Sequence, residues 1–363
     1  MAVKTVVRKS LSSVQRTAHQ VVHAILLQSK IRRIRRHIDP ARISAVKADK
    51  GFMRSSEAFL RRHFPPRRDL SWHVAYAAAS GIRDAMYIPE NAFYLHLEPR
   101  VNPRATALLY SDKNMYDNLF AGAAVPTTLG RIINGRFFSK DYQLISAAEL
   151  LEELRSSGDH VVVKPSVESG GGRNVQILSP GQLEGFLADG LGASAGENLL
   201  FQKLLRQHEA LAGFHPASLN TLRIVTFWLR RGVVVISAVL RMGVKNAQVD
   251  NQAAGGISCG VAEDGRLKRF AYDKHFRQYS EHPTTRRAFA GFKVPSYAEA
   301  CSLAVSLHRR LPACGMVSWD VAIDTEGSPV LIESNLRYQE INFLQLNNGP
   351  LFGRHTDEVL SMM

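Results

Sequence analysis

The chain has 363 residues, of which 45% are hydrophobic and 21% charged, so it can bury a large core and has the composition of a folded globular protein. The apolar run VVHAILL at residues 21–27 is far shorter than the ~20 residues of a membrane span. Three cysteines without a CxxC pair argue against a disulfide framework or a zinc site, and they fit a reducing cytoplasm. The formal net charge is +14, yet residues 1–50 alone hold twelve Lys/Arg and only two Asp.

The basic charge is therefore mainly a property of the N-terminal segment. Residues 1–38 contain no acidic residue, and apolar side chains recur near helical spacing before KIRRIRRHI at 30–38. This pattern predicts a basic helical extension over residues 1–50. It is compatible with an anionic membrane surface, with RNA, with an organelle transit peptide, or with a helix packed on its own domain. Nucleic acid is not expected, because aromatic residues are not interleaved with the basic ones. A cytoplasmic protein is expected, and if residues 1–38 bind an anionic membrane surface, it is attached there peripherally.

A composition break at RRHFPPRRDLSW, residues 61–72, places a boundary near residues 50–65. Three capping boxes then predict helix starts: Ser146 with Glu149, Ser179 with Gln182, and Ser296 with Glu299. A strand-like run follows each predicted helix. These runs are HVVVK at 160–164, NLLFQ at 198–202 and MVSWDVAID at 316–324. Mixed helices and antiparallel strands indicate an α+β fold.

A glycine-rich loop joins two of the predicted strands. Lys164 ends the first strand, Ser169-Gly170-Gly171-Gly172 follows, and NVQIL at 174–178 reads as the next strand. A Walker or Rossmann loop would instead lead from a strand directly into a helix. Backbone N–H groups of consecutive glycines can approach phosphate oxygens, and the lysine can supply charge to them. The loop is therefore either a hairpin lid over a nucleotide or merely a tight turn.

Residues 219–243, LNTLRIVTFWLRRGVVVISAVLRMG, predict two long strands with a hairpin turn at Arg230-Arg231-Gly232. Arg223 lies inside the first apolar strand, and a buried arginine needs an anionic partner. That partner is either a transferred phosphoryl group or a carboxylate in a structural salt bridge.

Two carboxylates lie in the predicted hairpin VSWDVAIDTEGSPVLIESN, residues 317–335. A two-residue turn at Glu326-Gly327 would pair Ile323 with Val330 and Asp320 with Glu333. Facing like charges destabilise a sheet unless a cation neutralises them, so removing one carboxylate is expected to relieve repulsion. Asn335 lies on the face of Glu333, and the three oxygen donors resemble what Mg²⁺ prefers. A solvent-facing acidic pair, or an acid bonded to a nearby arginine, is the alternative.

These motifs resemble the ATP-grasp superfamily, and within it the sugar-transfer-associated ATP-grasp proteins. The resemblance rests on SDKNMYDNLF, VVVKPSVESGGGRNVQIL, SLNTLRIVTF, VLRMG with DNQAAGG, and SWDVAID with PVLIESN, and it covers about residues 70–345. It implies two α+β subdomains that clamp ATP. The expected segments are residues 1–50 as the extension, 51–112 as an N-terminal domain, 113–205 as the small subdomain with the lid, and 206–363 as the large subdomain with the metal site.

The resemblance also implies residue roles. Phosphate contacts would come from Lys113 and Lys164, and the lid from Ser169, Gly170, Gly171, Gly172, Arg173 and Asn174. The adenine hinge would be Gln202, Lys203, Leu204 and Leu205, and the ribose acid Glu209, with His208 as a rival. Arg223, Arg241 and Lys164 would be catalytic, Asn251, Gly255 and Gly256 would form the acceptor loop, and Asp320, Glu333 and Asn335 would hold Mg²⁺, in the manner of the D-alanine:D-alanine ligases.

Three positions depart from the pattern of these relatives. Gln202 replaces an acidic residue, Ser318 stands where the dipeptide ligases have an arginine that contacts the acyl phosphate, and LRYQEIN at 336–342 differs after the metal ligands. The prediction is an ATP- and Mg²⁺-dependent ligase, with two ions, that joins a small carboxylate to an amine through an acyl phosphate. An ATP-grasp kinase acting on a hydroxyl or sugar is the alternative, and a nucleotide-binding scaffold of a polysaccharide or membrane-surface assembly is a third.

Overall fold

The computed structural model of the chain describes residues 29–65, 69–167, 174–193, 198–247, 250 and 255–363. The chain divides into two compact units. The first comprises the described residues up to Val101 together with Lys274–Gln278 and Glu340–Met363, and the second comprises those of Asn102–Asp273 and Tyr279–Gln339. These units do not correspond one to one with the four segments expected from the sequence, whose bounds stay predictions.

The first unit is helical. Residues 29–35 are helical, and the further helices are Pro40–Ala48, Lys50–His63, Ser71–Ser80, Glu90–Ala92, Glu98–Val101, Ile341–Asn348 and Thr356–Ser361, with a π-helix at Phe93–Leu97 and a 3-10 turn at Gly353–His355. Its interior contains buried polar groups as well as aromatic ones. Tyr76 donates to Asn342 Oδ1 at 2.5 Å, and Gln345 Oε1 accepts from Ile88 N at 2.9 Å. These bonds tie the C-terminal segment to the N-terminal helices of the same unit.

The second unit contains two sheets. The six-stranded sheet has the order β3-β2-β1-β6-β4-β5, with β1 Thr128–Ile133, β2 Arg136–Ser139, β3 Leu144–Ile145, β4 Val161–Pro165, β5 Gln176–Leu178 and β6 Leu199–Lys203. All five neighbouring pairs are antiparallel. The helices Ala147–Ser156 and Leu183–Ala193 contribute Leu150, Leu154 and Leu183 to a core shared with Val161 and Phe201.

The seven-stranded sheet has the order β11-β10-β9-β8-β7-β12-β13, with β7 Thr221–Leu229, β8 Gly232–Met242, β9 Ile257–Val261, β10 Leu267–Tyr272, β11 Gln278–Tyr279, β12 Met316–Ile323 and β13 Pro329–Asn335. The helix Tyr297–His308 packs on it. Short helices complete the unit at Arg104–Leu109, Lys113–Met115, Tyr116–Leu119, Pro180–Gln182 and Glu209–Ala212. The predicted hairpin at 219–243 is confirmed, since Leu229 pairs with Gly232 around Arg230-Arg231.

Two of the three predicted capping boxes are made. Ser146 Oγ accepts from Glu149 N at 3.2 Å while Ser146 N donates to Glu149 Oε2 at 2.6 Å, and Ser179 N donates to Gln182 Oε1 at 2.9 Å. The third prediction is wrong in its cap. Ser296 precedes the helix but has a φ of +49°, and its hydroxyl donates to Gly327 O at 2.6 Å instead of capping. The hydroxyl of Ser296 therefore bonds to the loop at Gly327 and does not cap its own helix.

Of the helices among the described residues, none combines the length and apolar character needed to cross a bilayer.

Candidate nucleotide and metal site

A cavity of about 370 Å³ lies in the second unit, and side chains of both sheets line it. Eleven predicted site residues are among its walls: Lys113, Lys164, Gln202, Lys203, Leu204, Leu205, Arg223, Arg241, Asp320, Glu333 and Asn335. They come from segments up to 222 residues apart in the chain, counted from Lys113 to Asn335. The fold therefore gathers the predicted phosphate, hinge, arginine and metal residues at one place.

The hairpin of β12 and β13 places the two carboxylates opposite each other, as predicted. Asp320 pairs with Glu333, but Ile323 pairs with Pro329 and not with Val330. The predicted two-residue turn is wrong: Asp324 N donates to Ser328 O, Gly327 N donates to Asp324 O, and Gly327 has a φ of +83°. The resulting three-residue loop shifts the pairing by one residue, and a β-bulge between Leu331 and Glu333 shifts it back.

The strand β13, which carries the candidate metal ligands Glu333 and Asn335, is also fixed from outside the sheet. Tyr116, in the motif SDKNMYDNLF, has its hydroxyl 2.8 Å from Ser334 Oγ and accepts from Ser334 N at 2.9 Å. Burial raises the pKa of Tyr116 well above its usual value, so the phenol stays neutral and can make these bonds. Because Ser334 lies between Glu333 and Asn335, this contact orients both candidate ligands.

Asp320 is bound by two arginines of neighbouring strands. Arg223 lies directly opposite it on β7 and donates from Nε and Nη2 to its two oxygens at 2.5 and 2.7 Å. Arg241 on β8 donates to Asp320 Oδ2 at 3.0 Å. Burial alone would raise the pKa of Asp320, but the two guanidinium groups outweigh burial and lower it. Asp320 is therefore an ionised carboxylate. The structure thus shows the alternative that the sequence left open for this residue, an acid bonded to a nearby arginine.

Sequence reasoning missed a third carboxylate. Asp250 lines the cavity, pairs with Arg241 Nη2 at 3.1 Å, and accepts hydrogen bonds from the backbone and hydroxyl of Thr221. Burial raises its pKa, and Arg241 opposes this only in part. The available signal was its position directly before Asn251 of the predicted acceptor loop.

The two lysines differ in their surroundings. Lys113 Nζ lies 2.9 Å from Glu333 Oε1, and Lys113 N donates to Ser166 O, which ties its turn to the end of β4. Lys164 has no carboxylate within ion-pair distance among the residues that the structure describes. Burial lowers the pKa of Lys164 to about 8; the Lys113 charge acts in the same direction and Glu333 against it.

Another part of the cavity wall comes from the six-stranded sheet, where Val162 pairs with both Ile177 and Gln202, and Leu205 lies just after β6. Gln202 is buried in this part of the wall, at 6% exposed, and its Nε2 donates to Pro126 O at 3.0 Å. A carbonyl oxygen only accepts hydrogen bonds, so this contact fixes which way the amide points. Gln202 Oε1 is thereby left on the side away from Pro126.

Several predicted residues do not line the cavity in the described part of the chain: Glu209, Gly255, Gly256 and Asn174. Glu209 starts a short helix that the imidazole of its rival His208 caps, accepting from Ala210 N at 3.1 Å. Asn174 has a φ of +59° beside the lid. The lid residues Ser169, Gly170, Gly171, Gly172 and Arg173, and Asn251, lie outside the described residues, and all these roles stay predictions.

The donor set fits Mg²⁺ in its chemistry. Asp320, Glu333 and Asn335 offer hard oxygen atoms to one cavity, and Asn335 Nδ2 lies 3.3 Å from Asp320 Oδ2, which leaves the amide oxygen available as a ligand. Among the described residues no three His, Cys, Asp or Glu side chains gather as a metal-binding group, and the predicted set has only two carboxylates. Mg²⁺ takes six oxygen ligands, so water or phosphate oxygens would have to supply the remainder.

Comparison with protein families matches residues 93–359, more than half of the chain, to the family described as sugar-transfer associated ATP-grasp. The predicted ATP-grasp fold, of the α+β class, is thereby confirmed. The chain belongs to the sugar-transfer-associated ATP-grasp family. Comparison with curated protein sequences gave no match.

Solved structures similar to the chain include the ATP-grasp ligase PsnB with its minimal precursor, at 15% identity and a TM-score of 0.43, covering 72% of this chain and 64% of PsnB. Biotin carboxylase from Campylobacter jejuni has 14% identity and a TM-score of 0.47, covering 72% of this chain and 48% of that one. D-cycloserine synthetase DcsG has 15% identity and a TM-score of 0.41, with 71% of each chain covered. The chain thus spans less than two thirds of the length of the first two.

Proposed function

We propose that the protein is an ATP- and Mg²⁺-dependent ligase that joins a small carboxylate to an amine through an acyl phosphate. The observation that carries the proposal is that one cavity is lined by a group of charged side chains and a group of apolar ones. The charged group is Lys113, Lys164, Arg223 and Arg241 with the candidate Mg²⁺ ligands, and the apolar group is Val162, Ile177 and Leu205 beside Gln202. A nucleoside triphosphate likewise combines charged phosphates with an apolar base, and we call these two groups of wall residues the charged end and the apolar end.

The apolar end would take adenine. Apolar walls bury the base, and Gln202 Oε1, oriented by the bond from its amide nitrogen to Pro126 O, would accept a hydrogen bond from the 6-amino group. The amide thus replaces the acidic residue usual at this position without losing the acceptor.

The charged end would align and neutralise the phosphates. In the first step a substrate carboxylate oxygen attacks the γ-phosphorus and the bond to the β-phosphate oxygen breaks, giving an acyl phosphate and ADP. In the second step the amine attacks the acyl carbon, phosphate leaves, and the nitrogen loses a proton. Phosphoryl transfer depends on positioning and electrostatics more than on covalent help, which suits Lys164, Arg223 and Arg241. Asp320, Glu333 and Asn335 would hold Mg²⁺, with two ions expected, and the metal would supply positive charge against the negative charge of the phosphates.

A kinase acting on a hydroxyl is the second candidate, and two observations favour it. Ser318, at the place of the arginine in the dipeptide ligases, is fully buried and donates to Gln339 Oε1 at 2.7 Å, so it offers no contact to an acyl-phosphate oxyanion. Asp250, with a pKa raised by burial, lies at the cavity wall where it could accept a hydroxyl proton.

One experiment separates the two candidates. The protein is incubated with ATP, Mg²⁺ and pools of carboxylates, with and without amines, and separately with pools of hydroxyl compounds and sugars, while phosphate release and product mass are recorded. Phosphate release that requires both substrates supports the ligase. A stable phosphorylated product from a single acceptor, without free phosphate, replaces it with the kinase. Absence of both with every pool, in protein that binds ATP, contradicts both reactions and leaves the scaffold.

A further inference from the structure

The first described helix of the first unit has two different sides. Ile31, Ile34 and the following Ile38 are only 1%, 3% and 5% exposed, so this side packs into the unit. Lys30 Nζ adds an ion pair to the buried Glu90 at 2.6 Å. These contacts fix the rotation of the helix about its axis. The opposite side is consequently held toward solvent.

That outer side carries Arg32, Arg33 and Arg36, all exposed. In the described part of the chain no carboxylate lies within ion-pair distance of any of the three. Other exposed arginines of the same unit do have such partners, since Arg61 pairs with Glu57 and Arg83 with Asp49. The three guanidinium groups are therefore uncompensated charges on a fixed backbone, and we call them the arginine face.

The next two helices extend the positive charge. Their exposed cations without a carboxylate partner, among the described residues, are Lys47, Lys50, Arg54 and Arg62. All phenylalanines between residues 29 and 65 are buried, so this segment presents no phenylalanine ring on which a nucleic-acid base could stack. Single-stranded nucleic acid is usually bound with such rings, whereas an anionic lipid surface requires only charge.

We infer that the arginine face binds the phosphodiester headgroups of an anionic lipid bilayer. A guanidinium group donates two parallel hydrogen bonds to a phosphate, which a solvated ammonium cannot do, and the buried isoleucines fix the backbone so that all three arginines lie on one exposed side before binding. The acid-free sequence of residues 1–28 directly precedes the face and adds charge of the same sign. The inference is independent of the reaction that the protein catalyses.

The test is cosedimentation of the full-length protein with vesicles of phosphatidylcholine containing phosphatidylglycerol, at low and high salt. The variant Arg32→Gln/Arg33→Gln/Arg36→Gln is expected to bind about a hundredfold more weakly at low salt, from the usual contribution of one basic residue near an anionic membrane. The matched control Arg231→Gln/Arg269→Gln/Arg309→Gln removes three exposed charges from the second unit and should bind like the wild type. Thermal unfolding verifies that both variants are folded.

Three outcomes overturn the inference. One is a wild-type protein that ignores anionic vesicles at low salt. Another is unchanged binding by the arginine-face variant together with loss of binding when Lys4, Arg8, Lys9 and Arg16 are all changed to Gln, which would assign the attachment to the preceding segment. The third is an RNA duplex that displaces the protein from vesicles at equal phosphate concentration, which would make the face a nucleic-acid surface.

Discussion

The two walls of the cavity carry their charges differently. On the seven-stranded sheet, Asp320 is held by Arg223 and Arg241, and Arg241 is shared with Asp250. On the six-stranded sheet, Lys164 has no carboxylate partner among the described residues, and burial lowers its pKa to about 8. The paired wall contributes to the stability of the fold before any ligand binds. Lys164, which has no carboxylate partner in the described part of the chain, would gain its counter-charge from a phosphate under the proposed function, so the two walls should respond differently to mutation.

The largest effect is expected on the paired wall. Asp320→Asn removes the carboxylate that the buried Arg223 and Arg241 share and leaves Arg241 with Asp250, and loss of one member of a buried ion pair costs roughly 3–5 kcal/mol in the free energy of unfolding. Glu333→Gln should cost much less, because the Glu333 side chain is 22% exposed and pairs only with Lys113 among the ion pairs of the described residues. Urea denaturation of both variants measures the difference.

This result would correct the expectation that removal of one facing carboxylate relieves repulsion, because the facing pair is already neutralised by Arg223 and Lys113. Both variants should lose ATP turnover. Equal free energies of unfolding for wild type and Asp320→Asn would mean that Arg223 and Arg241 can stay buried without the carboxylate of Asp320.

The unpaired wall should show its effect in binding. Lys164→Ala is expected to weaken ATP binding by roughly 1.5–3 kcal/mol, the range for hydrogen bonds to charged groups, with little change in stability. Calorimetric titration with a nonhydrolysable ATP analogue measures this. Lys140→Ala removes an exposed lysine of the same unit and serves as the control. Identical ATP affinities of wild type and Lys164→Ala would show that Lys164 does not bind the phosphates.

The lowered pKa of Lys164 also predicts a pH dependence. Above about pH 8 the free protein holds a neutral lysine, and a bound phosphate restores its proton, so ATP binding takes up a proton there. Affinity should therefore fall as pH rises above 8, by at most about tenfold per pH unit. Titrations in buffers of different ionisation enthalpy detect the proton uptake. Lys164→Arg keeps the charge and should abolish the dependence; a dependence that persists in this variant belongs to another group.

The smallest effect concerns the base. Gln202→Met keeps the length of the side chain but removes the acceptor, so the preference for ATP over inosine triphosphate should fall by up to about tenfold, the upper range for one neutral hydrogen bond. Competition binding with the two nucleotides measures the ratio, and Gln143→Met, at an exposed position, is the control. An unchanged ratio would show that Gln202 does not read the base.

The sequence predicted the grouping of these residues better than their partners. Asp320 and Glu333 lie thirteen residues apart in one hairpin, so the sequence could indicate that they face each other, but their exact pairing depends on a β-bulge that offsets the wrongly predicted turn. Arg223 meets Asp320 across strands that are 97 residues apart in the chain, and no local pattern specifies that register. The sequence could not predict the hydrogen bond of the Ser296 hydroxyl either, because it goes to Gly327 O in a distant turn and not to the helix that Ser296 precedes. Asp250 carries its charge in a loop, where periodicity gives no signal.

The bulge in β13 also gives the chain one residue that strand pairing does not need. Ile332 is the extra residue between the pairs Val321–Leu331 and Asp320–Glu333, and its side chain lines the cavity. A change at this position alters the cavity wall while the neighbouring carboxylates keep their partners. Even a deletion there would leave both flanking pairs in register. Natural or engineered substitutions of Ile332 can therefore change the fit of a ligand in the cavity without disturbing the candidate metal site beside it.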